Sequence, residues 1–356
     1  MRAGRHTLAI LASASALTGC ATPPPPPPPP KPVVVLPPTD TVKIPLTDLL
    51  TRTYYKNIGA LYPGGSNFPP PDHDSATRAR RNAIKPLDVN GDESPFGKYV
   101  LISIGMSNTT QEWCSKTSGP PCASWTFMGR AALDPSVNHY TLVIVNGAAD
   151  GQDATAWTSP SSPNYDRIKV GRLAPLGLSE NQVQIAWVDL ADARPKVSLP
   201  ADSADANVLL TNLGLVLRAM RIRYPNLRLV FLSSRVYGGY ATTDLNPEPY
   251  AYESGFSIKW AIESQINEMR GLPGNPWAGT LDYVKKVAPL IVWGPYLWAD
   301  GATPRSDGLA WQRNDFEEDG THPSQMGESK VAERLLDFFK NSPYARCWFV
   351  TSGYCL

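Results

Sequence analysis

Three residues carry the chemistry that this chain's spacing allows: Ser107, Asp319 and His322. A serine hydroxyl attacks a carbonyl only when a base removes its proton. The chain has four histidines, His6, His73, His139 and His322. His6 falls in a leader segment, His73 in a proline-rich lead-in, and His139 just before a strand, at the wrong end of a parallel sheet. His322 alone follows a late strand and precedes a helix, and Asp319 stands three residues before it. That acid can curl back to accept from imidazole Nδ1–H, which fixes the tautomer and turns Nε2 toward a serine. The chemistry predicted is acyl transfer through a serine ester.

Parallel strands position these groups. Gly97 to Asn108 holds the mostly apolar run Val100-Leu101-Ile102-Ser103-Ile104, which reads as a buried strand. It breaks at Gly105, leaving Ser107 on the turn at the strand's carboxyl end, where open α/β sheets collect ligands. Tyr140 to Gly147 predicts a second strand, and the alternation of Val183, Ile185 and Trp187 a third. Leu227 to Ser233 gives a fourth and Leu290 to Trp293 a fifth. Leu209, Leu213, Leu217 and Met220 predict a helix over about 206–223 that Tyr224-Pro225 stops. Ser257 to Met269 reads as another, and a last helix opens at Pro323-Ser324 with an apolar stripe of Val331, Ala332, Leu335, Leu336 and Phe339. The fold predicted is a three-layer α/β/α sandwich around a mostly parallel, five-stranded, doubly wound (flavodoxin-like) sheet.

Over roughly residues 97–342 the sequence resembles the SGNH, or GDSL-like, hydrolases. Gly105-Met106-Ser107-Asn108 fills the place of their first block and Asp319 with His322 the place of their last. The resemblance implies a serine esterase with Ser107 as nucleophile, His322 as base and Asp319 as its orienting acid. It implies oxyanion donors at the N–H of Ser107 and of Gly147, the glycine after the second strand. The Gly-x-Ser-x-Gly elbow of other α/β-hydrolases is absent around Ser107. The family's third block, Gly-x-Asn-Asp, is replaced here by Trp187 to Arg194, which holds Asp189 and Asp192 but no asparagine. A carboxylate does not donate unless protonated. Either Asn108, Asn146 or Arg235 supplies the missing donor, or the site is slow, or the protein is a catalytically inactive carbohydrate-binding or envelope scaffold on the same fold.

Aromatic residues at the strand ends point to a carbohydrate ester, with O-acetyl groups implied by the family's carbohydrate esterases. Arg235, Tyr237, Glu253 and Trp298 are the candidate substrate contacts, on segments read as loops, with Trp293 and Tyr296 nearby. This reading calls for no cofactor and no metal. Asp72-His73-Asp74 reads as a solvated stretch of a proline-rich loop, and a metal hydrolase using His73, His322 and carboxylates is a minor alternative.

Composition bounds the partners. Thirty-three Lys and Arg against 32 Asp and Glu leave a formal charge of +1, which gives no electrostatic case for nucleic acid. Arg2 and Arg5, then Leu8 to Leu17, read as a leader, and Leu17-Thr18-Gly19-Cys20 as a lipobox with Cys20 lipidated. The expectation is an exported protein, lipid-anchored in the bacterial envelope; Ala21 after the cysteine favours the outer membrane by resemblance to other lipoproteins. Pro23 to Pro30 makes a stiff spacer of about 3.1 Å per residue. The remaining cysteines, Cys114, Cys122, Cys347 and Cys355, suit an oxidising compartment. Of three pairings the local ones are favoured, Cys114–Cys122 and Cys347–Cys355, the first shaping the site mouth. The organisation expected is a leader (1–20), a tether (21–45), an extension packed on the core (46–96), the hydrolase-like domain (97–342) and a disulfide-bearing tail (343–356).

Overall fold

A computed structural model describes Met1 and residues 41–115 and 119–353. Residues 1–38 and 39–356 form separate units. The leader, Cys20, the proline run and Cys355 lie outside the described residues. Among the described residues no helix is long and apolar enough to cross a membrane.

Five strands form the central sheet: β1 (Tyr99–Gly105), β2 (Leu142–Val145), β3 (Val183–Asp189), β4 (Leu229–Ser233) and β5 (Leu290–Trp293). Their order is β2-β1-β3-β4-β5 and every neighbouring pair is parallel. This is the expected doubly wound arrangement, with a switch point between β1 and β3. Both faces are covered, so alternate residues of one strand enter different cores. Val100, Ile102 and Ile104 of β1 pack on one side, and Leu101 with Ile185 and Trp187 of β3 on the other. That is why β1 reads as a mostly apolar run.

Helices α1 (Pro71–Asn82), α2 (Ser107–Cys114), α3 (Phe127–Leu133), α4 (Asp205–Arg223), α5 (Tyr250–Met269) and α6 (Gln325–Asn341) surround the sheet. The core under α4 and α5 covers one face, and the core under α2, α3 and α6 the other, making three layers. Ser324 caps α6 by accepting from the Met326 N–H over 3.2 Å, as its position predicts. In the C-terminal tail, Trp348 and Phe349 are buried in the α6-side core.

Two segments read as loops are helical. Around Asp72-His73-Asp74 the chain forms α1, because Pro71 sits at a first-turn position whose N–H needs no partner. His73, Thr77 and Arg81, four apart, form its buried face. The imidazole of His73 lies 3.1 Å from the Ile291 carbonyl, so the residue is a core histidine and not part of a solvated loop. Helix α5 begins at Tyr250, seven residues before Ser257, which takes Tyr250-Ala251-Tyr252-Glu253-Ser254 out of the strand-end loops and into a helix, with Ala251 to Ser254 buried.

Candidate active site

Ser107 is the first residue of α2, immediately beyond the carboxyl end of β1. The turn from strand to helix is tight. A Cβ on Gly105 would lie 2.1 Å from Thr109 Oγ1 and 2.5 Å from the Asp189 carbonyl, so only glycine fits. Thr109 locks the turn, its hydroxyl donating to the Asp189 carbonyl (2.7 Å) and accepting from the Met106 N–H (3.2 Å). Six residues along α2, the indole of Trp113 stacks on Trp187 of β3, with centroids 5.0 Å apart and planes 6° from parallel. Both rings are fully buried. A stacked aromatic pair contributes about 0.5–1.5 kcal/mol beyond its burial, and here it pins the helix that carries Ser107.

His322 Nε2 lies 2.8 Å from Ser107 Oγ, and His322 Nδ1 lies 2.5 Å from Asp319 Oδ2. The other carboxylate oxygen of Asp319 accepts from the N–H of Thr321 (2.9 Å) and of His322 (3.0 Å). Burial works against the charge on Asp319, yet these donors and the imidazole together hold its carboxyl below the usual carboxylate range. Gly320 makes the bend possible: its φ is +67°, and a Cβ there would sit 1.8 Å from the Tyr240 carbonyl. The bend is strapped by the chain after β4, through Thr242 N–H to the Asp319 carbonyl (2.9 Å) and Thr321 hydroxyl to the Leu245 carbonyl (3.3 Å). Both Ser107 and His322 are half-buried, so the pair reaches the surface.

Several expected site residues stand elsewhere. Asn108 is buried, and its amide donates to the Thr321 carbonyl (2.9 Å), so it braces the His322 bend. The Asn146 amide donates to Thr110 Oγ1 (2.7 Å) and its oxygen accepts from the Ser103 hydroxyl (3.0 Å). The Gly147 N–H donates to Ser103 Oγ (3.1 Å) and is likewise taken. What makes residue 147 a glycine is close packing, since a Cβ would lie 2.3 Å from the Ser103 carbonyl. In the loop after β2, the N–H groups of Asp150 and Gly151 have no acceptor among the described residues, and both residues are exposed. The Ala149 N–H ties this loop to the Gly105 carbonyl (3.2 Å). Free donors there do not show as a spacing, because only folding decides which N–H groups are used.

The predicted substrate contacts are largely interior. Glu253 is 1% exposed and accepts from the Tyr54 hydroxyl (3.1 Å) and the Leu199 N–H (3.0 Å); burial pushes its carboxyl up to about 7. Trp298 is wholly buried and its indole N–H donates to Glu248 (2.7 Å). Arg235 is buried, with Nε and Nη1 lacking hydrogen-bond partners. It faces the charges of Glu112 and Asp189, two fully buried acids whose carboxyl oxygens are also unpartnered. Burial raises both carboxyls, with Arg235 opposing. Of the four, Tyr237 alone is half-buried, its ring edge-on to Tyr240 at 5.1 Å. Trp293 and Tyr296 at the end of β5 are buried as well, each 4% exposed.

Cys114 and Cys122 form a disulfide. It closes the far end of α2, about 10 Å along the helix axis from Ser107, and so lies away from the site mouth. Cys347 is also disulfide-bonded, and its expected partner Cys355 is outside the described residues. Among the described residues no group of three or more His, Cys, Asp or Glu is placed to hold a metal ion.

No family model matches the chain, and no curated protein matches it. Solved structures similar to it include the psychrotrophic esterase EstA from Pseudoalteromonas, at 12% identity and a TM-score of 0.34 over 68% of this chain and 97% of that one. An extracellular lipase from Streptomyces rimosus is 14% identical, with a TM-score of 0.32 over 67% and 98%. A family two carbohydrate esterase from Cellvibrio japonicus is 10% identical, with a TM-score of 0.36 over 70% and 62%.

Proposed function

We propose that this chain is a serine hydrolase of the SGNH type that cleaves ester bonds, with Ser107 as nucleophile, His322 as general base and acid, and Asp319 as the group that orients and charges the imidazole. The observation that carries this reading is the continuous line Asp319–His322–Ser107, with contacts of 2.5 and 2.8 Å. His322 Nε2 takes the hydroxyl proton as Ser107 Oγ attacks the ester carbonyl. The imidazolium is stabilised by Asp319, then returns the proton to the leaving alcohol. Water, deprotonated by the same nitrogen, attacks the acyl-enzyme, releasing the acid and restoring Ser107.

The oxyanion needs N–H donors at the end of β1. The N–H of Ser107, in the first turn of α2, is one. The other belongs to the loop after β2, and we assign it to Gly151 in place of Gly147, whose N–H is already used by Ser103. Gly151 has φ +69° and open space where a Cβ would stand, so its backbone is accessible to a substrate oxygen. This supplies a donor where the third-strand end, carrying Asp189, offers none. O-acetylated carbohydrate remains the substrate class that the family resemblance favours. With Glu253 and Trp298 buried, the residues first expected to contact sugar do not support it.

Hydrolysis of p-nitrophenyl acetate by the whole chain, beside Ser107→Ala and His322→Ala, tests the reading. Turnover by the wild type that falls about 10³-fold or more in each variant supports it. Equal inertness of all three removes the enzyme and leaves the scaffold alternative, which the engagement of the Asn108 and Asn146 amides by Thr321 and Thr110 favours.

A further inference from the structure

On the sheet face opposite α2 and α6, helices α4 and α5 and the hairpin Thr53–Ile58 border an open groove of about 800 Å³. Its size falls within the range of about 300–1,000 Å³ typical of small-molecule sites. None of its lining belongs to the Ser107 site. Three aromatic side chains line it: Tyr55, Trp260 and Trp277. Trp277 is 46% exposed, whereas Trp113, Trp157, Trp187, Trp298, Trp311 and Trp348 are fully buried. The lining also holds polar groups with no partner among the described residues: the Asn267 amide, the Asp202 carboxylate and the Lys56 ammonium.

The hairpin that delivers Tyr55 and Lys56 is held in an unfavourable backbone. Its two-residue turn places both at positive φ, 43° and 69°. Asn-Gly is the pair that such a turn favours, and side chains as large as these make it costly. The turn keeps that cost at the position where both residues line the groove.

We propose that this groove binds a neutral carbohydrate chain. A sugar ring presents an apolar C–H face, which an exposed indole or phenol ring can cover, and a rim of hydroxyls, each both donor and acceptor. Amide and carboxylate side chains pair with such hydroxyls through both of their polar atoms. The charge of the lining argues against an anion: Lys56 is offset by Asp202, and Glu263 is paired with Lys259. An apolar ligand would leave the amides and carboxylate unpaired on its desolvated side. The proposal is independent of any activity at Ser107.

Titration of the whole chain with cellohexaose, xylohexaose and hexa-N-acetylchitohexaose, followed by tryptophan fluorescence and calorimetry, tests it. At least one sugar is expected to saturate the wild type and shift its emission. Trp277→Ala should weaken that binding about tenfold or more with an unchanged unfolding midpoint, and Asn267→Ala should weaken it less. Should Trp277→Ala not fold, Tyr55→Ala takes its place. Failure of all three sugars to bind at millimolar concentration overturns the proposal, as does binding that survives Trp277→Ala and Tyr55→Ala unchanged. Saturation by a polyproline peptide in place of the sugars also overturns it. Because binding is read without turnover, an inert Ser107 site leaves the result interpretable.

Discussion

The Asn108 amide donates to the Thr321 carbonyl over 2.9 Å, joining the neighbour of Ser107 to the neighbour of His322 across 213 positions of sequence. The bond is buried, so it holds the two halves of the site at fixed spacing where water cannot compete. Asn108→Ala would leave that carbonyl without its donor, at about 1–3 kcal/mol. Loss of the brace should lower kcat for p-nitrophenyl acetate by about 10- to 100-fold while KM stays within about twofold, since what is lost is alignment rather than binding. An unchanged kcat would show that the strap from Thr242 and Leu245 suffices by itself.

Asp319 does three things at once, accepting from imidazole Nδ1 and from two backbone N–H groups of its own bend. Asp319→Asn can preserve the backbone contacts through its amide oxygen while presenting a donor or a neutral acceptor to Nδ1, which upsets the tautomer. The analogous change in the serine-protease triad costs about 10⁴ in kcat. A loss here of about 10²-fold or more, with the unfolding midpoint nearly unchanged, is the expected outcome. A drop in both together would make Asp319 a structural residue only.

Gly320 tests the bend itself. Its φ of +67° and the nearby Tyr240 carbonyl leave no room for a methyl group. Gly320→Ala should destabilise by more than about 1 kcal/mol and abolish turnover, whereas Gly177→Ala, equally left-handed but in open space, should cost stability and spare activity. Retained turnover in Gly320→Ala would mean the bend reforms around the side chain.

The sheet was legible because parallel strands buried on both faces read as near-continuous apolar runs, and β1, β4 and β5 do. Ser107, Asp319 and His322 were legible because a proton relay restricts residue types and because few histidines compete. What spacing hid was the assignment of polar groups to partners. Gly147, Asn108 and Asn146 all have the right chemistry for an oxyanion, and each is consumed by Ser103, Thr321 or Thr110. Glu253 and Trp298 misled for a related reason. A carboxylate and an indole read as surface groups until Tyr54, Leu199 and Glu248 are found beside them in the interior. Helix α1 was masked by its prolines, which mark its start rather than its absence.

His73 supplies a pH prediction. Its ring is wholly buried, Nε2 bonded to the Ile291 carbonyl and Nδ1 without a partner, so the neutral tautomer carries its proton on Nε2. Burial pushes its pKa down to about 4 from 6.5, although the Ile291 carbonyl and the charges of Asp72 and Asp74 pull the other way. Between those values the unfolded chain binds a proton that the folded chain refuses, so stability is whole above pH 6.5 and is lost as pH falls toward 4. From pH 7 to pH 5 this one group should cost about 2 kcal/mol. His73→Gln can still donate to the Ile291 carbonyl but does not titrate. Urea unfolding of both proteins at the two pH values isolates the effect, because every other group cancels in the double difference. A wild type that loses about 2 kcal/mol more than His73→Gln on acidification locates the acid sensitivity at the α1–β5 contact; equal losses would place it elsewhere.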